Sequence, residues 1–344
     1  LESVLALGAL LALLSGVMNG LFTLPMRFLG RWSWENVWSV FIVGACLLLP
    51  LVLVSALAPA SWALLLHAPR TAVIIALSTG FAWGFGAIMF GQSVSAIGIA
   101  LANTFVLAIS SALGSLLPIV FLSPQKLFER SGITILIGIA IEIFGITLCG
   151  RAGVLRERAA GVGDTSQRGD LVGKARPLAI GLLLVLGSGL LSAVFNIGFA
   201  LAHPILDYGK ANGLTEFSST NLIWILMLGG GAVSNLGFCT YLMMKNKSAA
   251  KFIQPGSLRL YSFGLLMALL WGGSIFVYGA AALRLGAMGV SIGWPVSLAT
   301  GLLVANAVGL LLGEWRGAPR TALRWMFAGI AILVIAIVVL SKAG

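Results

Sequence analysis

Apolar residues run along this chain in unbroken blocks, and polar positions gather in short stretches between them. A block of about twenty apolar residues crosses roughly 30 Å of hydrocarbon as a helix. The pattern predicts ten such spans, near 4–26, 36–57, 72–92, 98–121, 132–149, 178–201, 220–243, 262–282, 288–312 and 325–340. The first block has neither a basic leader nor a convincing cleavage site, so it reads as a retained span and not as a signal peptide. The expected fold is an all-α polytopic membrane protein.

The blocks also repeat. Phe81–Pro118 contains no Asp, Glu, Lys, Arg or His, and a shift of 188 positions lays it on a second copy. Trp83-Gly84 falls on Trp271-Gly272, Phe90-Gly91 on Tyr278-Gly279, and Gly98 on Gly286. A weaker echo at a shift of 173 links Ser15-Gly16 with Ser188-Gly189 and Phe22 with Phe195. The most charged stretch, 151–177, separates the copies, which divides the chain into a five-helix repeat at 1–150, a charged cytoplasmic linker at 151–177 and a second five-helix repeat at 178–344. Five is odd, so the second copy enters the membrane from the opposite face. That is the inverted-topology repeat of transporters, with a substrate site expected between the halves.

Composition and charge sharpen this picture. Hydrophobic residues make up 59% of the 344 and charged residues 9%, whereas a soluble domain carries roughly 25% charged residues. The loops after spans 1, 3, 5, 7 and 9 hold fifteen of the 21 Lys and Arg, and the other face with both termini holds six. Lys/Arg-rich loops are cytoplasmic, so both termini are predicted to be periplasmic. The net charge of +11 is thereby a topology signal with attraction to lipid head groups. No nucleic-acid partner is expected, because the basic residues are scattered over short loops without a recognition motif. Cys46, Cys149 and Cys239 lie inside apolar runs with no CxxC spacing or nearby His, so no metal site is expected and buried free thiols are.

Polar groups inside the spans carry the candidate chemistry, since each costs free energy in hydrocarbon unless it is paired or faces an aqueous cavity. The amides are Asn19, Gln92, Asn103, Asn196, Asn235 and Asn306. Amides donate and accept, which suits a neutral hydroxyl-rich ligand, and interhelical hydrogen bonding is their other reading. Trp83 and Trp271 sit near mid-span, where an indole covers the C–H face of a sugar ring; Tyr278 and Trp294 are placed to add to the same cavity. Glu142 is the one mid-span carboxyl and a candidate proton relay. Glu35 and Glu314 stand at span ends beside Trp34 and Trp315, where pairing with Arg is expected and gating is conceivable. Trp32, Trp34, Trp38, Trp315 and Trp325 read as interfacial anchors. Gly16-x-x-x-Gly20 and Gly80-x-x-x-Gly84 read as close-packing positions, and His67 and His203 as solvated span-end residues.

Four motifs then carry a resemblance. RWSWENVWSV (31–40), GRAGVLRER (150–158), GGGAVSNLGFC (229–239) and GEWRGAPR (313–320) together resemble the L-rhamnose–proton symporter family of the drug/metabolite transporter superfamily. The resemblance runs from span 1 to span 10. It implies uptake of a methylpentose with protons across the bacterial inner membrane. It also marks Glu35, Arg151, Gly229–Gly231 with Asn235, and Glu314-Trp315 as family positions, and places Trp271, Tyr278 and Trp294 at positions associated with the family. Gln92, Asn103 and Glu142 fall outside its pattern, so another sugar or a different coupling is open here. Arg151 joins Glu142, Glu35 and Glu314 as a coupling or gating candidate.

The expected function is secondary transport of L-rhamnose or a similar monosaccharide by alternating access, energised by the proton gradient and with no cofactor. Its partners are the sugar, protons and membrane lipid. An exporter of amphipathic small molecules is the rival within transport. An intramembrane enzyme is disfavoured, because the spans hold no nucleophile–base pair and no set of metal ligands. A sensor is disfavoured because no loop is long enough for a soluble domain. Oligomeric state is left open.

Overall fold

A computed structural model describes residues 2–59, 61–160 and 178–343. Among them all regular structure is helical, and ten helices are long and apolar enough to cross a membrane. They are α1 (Glu2–Leu21), α2 (Trp34–Leu57), α3 (Arg70–Ile97), α4 (Ile99–Leu122), α5 (Arg130–Ala159), α6 (Leu178–Leu201), α7 (Glu216–Asn246), α8 (Ser257–Arg284), α9 (Gly289–Leu311) and α10 (Arg320–Ser341). Two short helices, Ser61–His67 and His203–Ala211, lie in the connections before α3 and after α6.

Where boundaries differ from the predicted spans, local chemistry explains the difference. α1 stops at Leu21 because Pro25 opens a 3₁₀ turn, Leu24–Phe28, and cannot extend an α-helical ladder. In α2 a π-helical segment, Val43–Leu48, lies just ahead of Pro50, whose ring crowds the preceding turn. α5 runs on to Ala159, so Arg151, Arg156 and Arg158 stand on its final turns and not in a connecting loop. The rest of the predicted linker, 161–177, lies outside the described residues. α7 starts earlier than its apolar block, at Glu216, because Thr215 accepts a hydrogen bond from the Ser218 backbone N–H at 3.1 Å.

The chain packs as two compact units, and each draws on both halves of the sequence. The first comprises Leu1–Gly20, Gly86–Asn196 and Ala281–Gly344; the second comprises Leu21–Phe85 and Ile197–Ala280. Their boundaries fall at the end of α1 and inside α3, α6 and α8.

In the first unit small residues set the helix approaches, as expected where lipid offers no hydrophobic drive to association. α5 and α10 run antiparallel, with Gly138 against Leu340, Gly145 against Leu333 and Cys149 against Gly329. Gly16 and Gly20 of α1 lie on Ser297, Thr300 and Gly301 of α9, and the Ser15 and Ser297 hydroxyls meet at 2.9 Å. The close-packing reading of that glycine pair holds. Gly98 ends α3 and Gly286 follows α8, with φ of 83° and 78°. The two positions related by the repeat shift thus share a left-handed backbone that favours glycine.

The second unit is built the same way. Gly80 and Gly84 of α3 meet Met227, Gly231 and Ser234 of α7, so this pair too serves packing. Gly272 of α8 rests on Ala45 and Leu49 of α2, and Gly44 of α2 on Ala268.

Candidate functional site

A run of aromatic rings crosses the second unit. Trp83 is at the middle of α3 and Trp271 at the middle of α8, and their rings stack with centroids 5.0 Å apart and planes 12° apart. Trp271 meets the edge of Phe41 at 5.5 Å, Phe41 meets Trp38 at 4.9 Å, and Trp38 stacks on Trp34 at 5.1 Å. The absence of a Cβ at Gly231 lets the Trp83 ring lie against the α7 backbone. The Trp38 indole N–H donates to Asn235 Oδ1 at 2.9 Å, and Asn235 Nδ2 donates to the Gly231 carbonyl at 2.9 Å. Trp83 and Trp271 are only half-buried. An indole face next to an oriented amide is a pairing of apolar and polar surface that suits a sugar.

The motif around Glu35 closes one end of this unit. Glu35 Oε1 accepts from Ser248 Oγ at 2.6 Å and from Asn246 Nδ2 at 3.1 Å, and the residue is 3% exposed. Asn36 Nδ2 donates to the Ser248 carbonyl, and Lys251 Nζ to Ser33 Oγ. The expectation that Glu35 pairs with an Arg at the interface is therefore corrected: among the described residues, neutral donors at the end of α7 and just after it hold it inside. The anchor reading of two tryptophans is corrected too. Trp32 is buried, with its N–H on the Lys251 carbonyl, and Trp38 is engaged by Asn235. Both were misread because Trp near a span end favours either setting.

In the first unit a second polar group forms around α4. The Trp294 indole N–H donates to the Ser110 carbonyl at 3.1 Å and approaches Ser110 Oγ at 3.3 Å. Ser110 Oγ donates to Ser192 Oγ of α6 at 2.8 Å. Asn196, also on α6, donates to the Gly114 carbonyl at 2.8 Å. Gly114 makes this possible, since a Cβ there would lie 2.7 Å from Trp294 Nε1. The structure thus brings two predicted residues, Trp294 and Asn196, onto one face of α4.

The next residue, Ser111, points to another neighbour. Its hydroxyl donates to Glu142 Oε2 at 2.6 Å. Glu142 is fully buried, and its Oε1 has no hydrogen-bond partner among the described residues. Ser115, one turn along the same face of α4, is also fully buried with an unpartnered hydroxyl. A carboxylate held by one hydroxyl in hydrocarbon is costly, whereas a neutral carboxylic acid is tolerated.

The remaining candidates are dispersed. Asn19 lies against Gly301, and Asn306 donates to the Leu302 carbonyl of its own helix. Gln92 and Asn103 are half-buried near the C-terminal end of α3 and the N-terminal end of α4. Tyr278 sits in a different aromatic group from Trp271: it is 1% exposed, 5.9 Å from Phe199 and 6.2 Å from Trp224. Glu314 pairs with Arg156 at 3.5 Å, as its interfacial reading expects, and Arg156 covers the Trp315 ring at 4.8 Å. Arg151 instead lies over Trp325 at 4.4 Å. His67 is exposed and His203 half-buried. Sequence reasoning missed Ser110, Ser111 and Ser192, because single serines in apolar helices carry no pattern. It also missed Glu157, whose Oε1 accepts the Ala100 N–H at 2.9 Å at the start of α4.

Two pairings stand out among the four sequence motifs. Residues 31–40 meet 229–239 in the second unit, and 150–158 meet 313–320 in the first. No group of His, Cys, Asp and Glu suited to a metal ion occurs among the described residues. Comparison with known proteins agrees with this spread of motifs. The family described as L-rhamnose-proton symport protein (RhaT) matches residues 1–343. A protein of Klebsiella pneumoniae subsp. pneumoniae named L-rhamnose-proton symporter is 27% identical over 344 residues, covering 96% of each chain. One of the same name from Escherichia coli O1:K1 is 25% identical over 345 residues, covering 98% of this chain and 97% of the relative.

Proposed function

Since this chain belongs to the L-rhamnose-proton symport protein family, we propose that it imports a small neutral sugar, L-rhamnose or a similar monosaccharide, together with protons by alternating access. The observation that carries the sugar reading is the half-buried indole pair Trp83 and Trp271 at the middle of two helices. Indole stacking on sugar C–H faces, with amides for the hydroxyls, needs no charged residue, and the second unit supplies that set around Asn235. In the first unit Trp294 and Asn196 form a second indole–amide group, 7% and 0% exposed and bonded to α4 in this packing. Asn19, Gln92, Asn103 and Tyr278 are secondary candidates for the same task.

The wider reading follows from the sequence. The halves 1–150 and 178–344 act as inverted repeats joined by 151–177, within the drug/metabolite transporter superfamily. Shared backbone geometry at Gly98 and Gly286 supports this. The protein lies in the bacterial inner membrane with both termini periplasmic, and the proton gradient is its energy source. Among the carboxyls, Glu35 and Glu314 with Arg156 close helix ends as gating elements, and Arg151 on Trp325 steadies α5.

Purified protein in liposomes, with internal pH followed on adding L-rhamnose and then a panel of monosaccharides, tests the proposal. Sugar-dependent acidification is expected. Folded protein that acidifies with none of the sugars overturns it.

A further inference from the structure

We infer that Glu142 carries the coupling proton, that Ser111 is its positioning residue, and that the neighbouring Ser110 ties this carboxyl to Trp294 on the sugar side. The inference rests on the proton–sugar reading above, and deepens it by assigning the proton site.

Glu142 stands apart from the other carboxyls on geometry alone. Glu35 accepts two hydrogen bonds, Glu314 has an arginine and Glu157 caps a helix. Glu142 has one hydroxyl, Ser111, and a buried oxygen with no hydrogen-bond partner among the described residues. Among the described residues, no charged side chain is bonded to it. On α10, Leu340 packs on Gly138 and Leu333 on Gly145, the glycines on either side of Glu142 along α5, and both leucines are fully buried. α9 reaches the same part of α5 with Ala299, and α4 with Ser111 and Ser115. On α5 itself the nearest titratable group is Cys149, which packs on Gly329. Lys126 lies in the turn against Gly132, and along α5 the backbones of Arg130 and Arg151 are about 18 and 13 Å from that of Glu142 at 1.5 Å per residue.

A site of this kind holds a proton and tolerates its loss only when the packing opens. In the closed packing the carboxylic acid is neutral and Ser111 donates to it. Proton release breaks one O–H bond of the carboxyl and passes the proton to water. The carboxylate left behind has a single donor in hydrocarbon, so it drives α4 and α5 to readmit water or a new proton. Ser115, with its unpartnered hydroxyl one turn along α4, marks where water first joins the pair.

The link to sugar is the adjacent serine. Ser110 takes the Trp294 N–H on its carbonyl and bonds to Ser192, while Ser111 holds Glu142. A sugar hydroxyl that competes for Trp294 or Asn196 alters the turn of α4 that positions Ser111. Substrate and proton are thereby coupled through one helical turn, across two bonded residues.

The test compares wild type with Glu142→Gln in liposomes, using whichever sugar acidifies the wild type. Sugar counterflow reads exchange alone, and uptake driven by an inward acid gradient reads coupling. Glu142→Gln is expected to lose gradient-driven accumulation and acidification at least about tenfold while still exchanging sugar. Accumulation at the wild-type level in this variant overturns the inference. If Glu142→Gln loses exchange as well, Ser111→Ala and Ser111→Thr decide. A displaced pH profile of transport in Ser111→Ala, restored by Ser111→Thr, supports the assignment, and an unmoved profile in Ser111→Ala overturns it. Wild type that acidifies with no sugar would instead overturn the symport reading itself.

Discussion

Trp83 and Trp271 stand 188 positions apart in the sequence, each followed by a glycine, and in the folded chain they stack on each other at 5.0 Å. An indole at the centre of each of two helices thereby builds a paired ring surface. Neither ring is fully buried.

If that surface receives sugar, Trp83→Ala and Trp271→Ala each lower sugar uptake. A ring contact contributes on the order of 1 kcal/mol, and 1.4 kcal/mol is tenfold in affinity, so a loss of about fivefold is expected. Trp→Phe at either position is expected to lose less. Uptake kinetics at matched protein levels, with melting curves to confirm folding, check this; unchanged uptake in both Ala variants would remove the pair from the site.

The Gly-rich stretch of α7 divides by packing. Gly230 lies against the Leu77 carbonyl and Gly231 against the Trp83 ring, whereas Gly229 has open space at its Cβ position. Gly230→Ala is expected to destabilise by on the order of 2 kcal/mol through overpacking. Gly229→Ala should be neutral or slightly stabilising, since alanine is the better helix former. Thermal unfolding in detergent separates the two, and equal effects would contradict the packing.

Removing Glu35 strands its donors. Glu35→Ala leaves Ser248 Oγ and Asn246 Nδ2 without their acceptor in a buried position, at a cost of about 1–3 kcal/mol. Glu35→Gln keeps an acceptor oxygen for Ser248 and is expected to lose less than half as much. The same melting measurement tests it, and a Gln variant as unstable as the Ala variant would show that charge, not the hydrogen bond, holds this end of the unit.

Arg156 and Glu314 are partly solvated, with side-chain exposures of 26% and 37%. Their coupling energy in a double-mutant cycle is expected to stay below about 1 kcal/mol and to shrink with added salt. A larger, salt-insensitive coupling would contradict this surface reading.

Much of this architecture was legible in the chain. Ten helices lie where ten apolar blocks were read, and the two Gly-x-x-x-Gly pairs pack as expected. The candidate residues were less readable. Trp294 and Asn196 meet on α4, but Tyr278 belongs to a separate aromatic group, and Arg156 rather than Arg151 reaches Glu314. Arg151 and Arg156 are five residues apart on one helix, so they leave it in different directions. A loop assignment for 151–158 concealed that difference.

What the sequence determined by itself is therefore local and additive: span number and the residues too polar to sit in lipid without a partner. Hydrocarbon imposes a length and a composition on each helix, and both are visible in a single chain. The tertiary structure alone decided which polar group meets which. A helix apolar on all sides carries no hydrophobic stripe to show which face turns inward. Its rotation is set by distant glycines and serines, such as Gly329 against Cys149 on the face of α5 that also buries Glu142. Ser111 therefore finds Glu142, and Trp38 finds Asn235, only once the helices have packed.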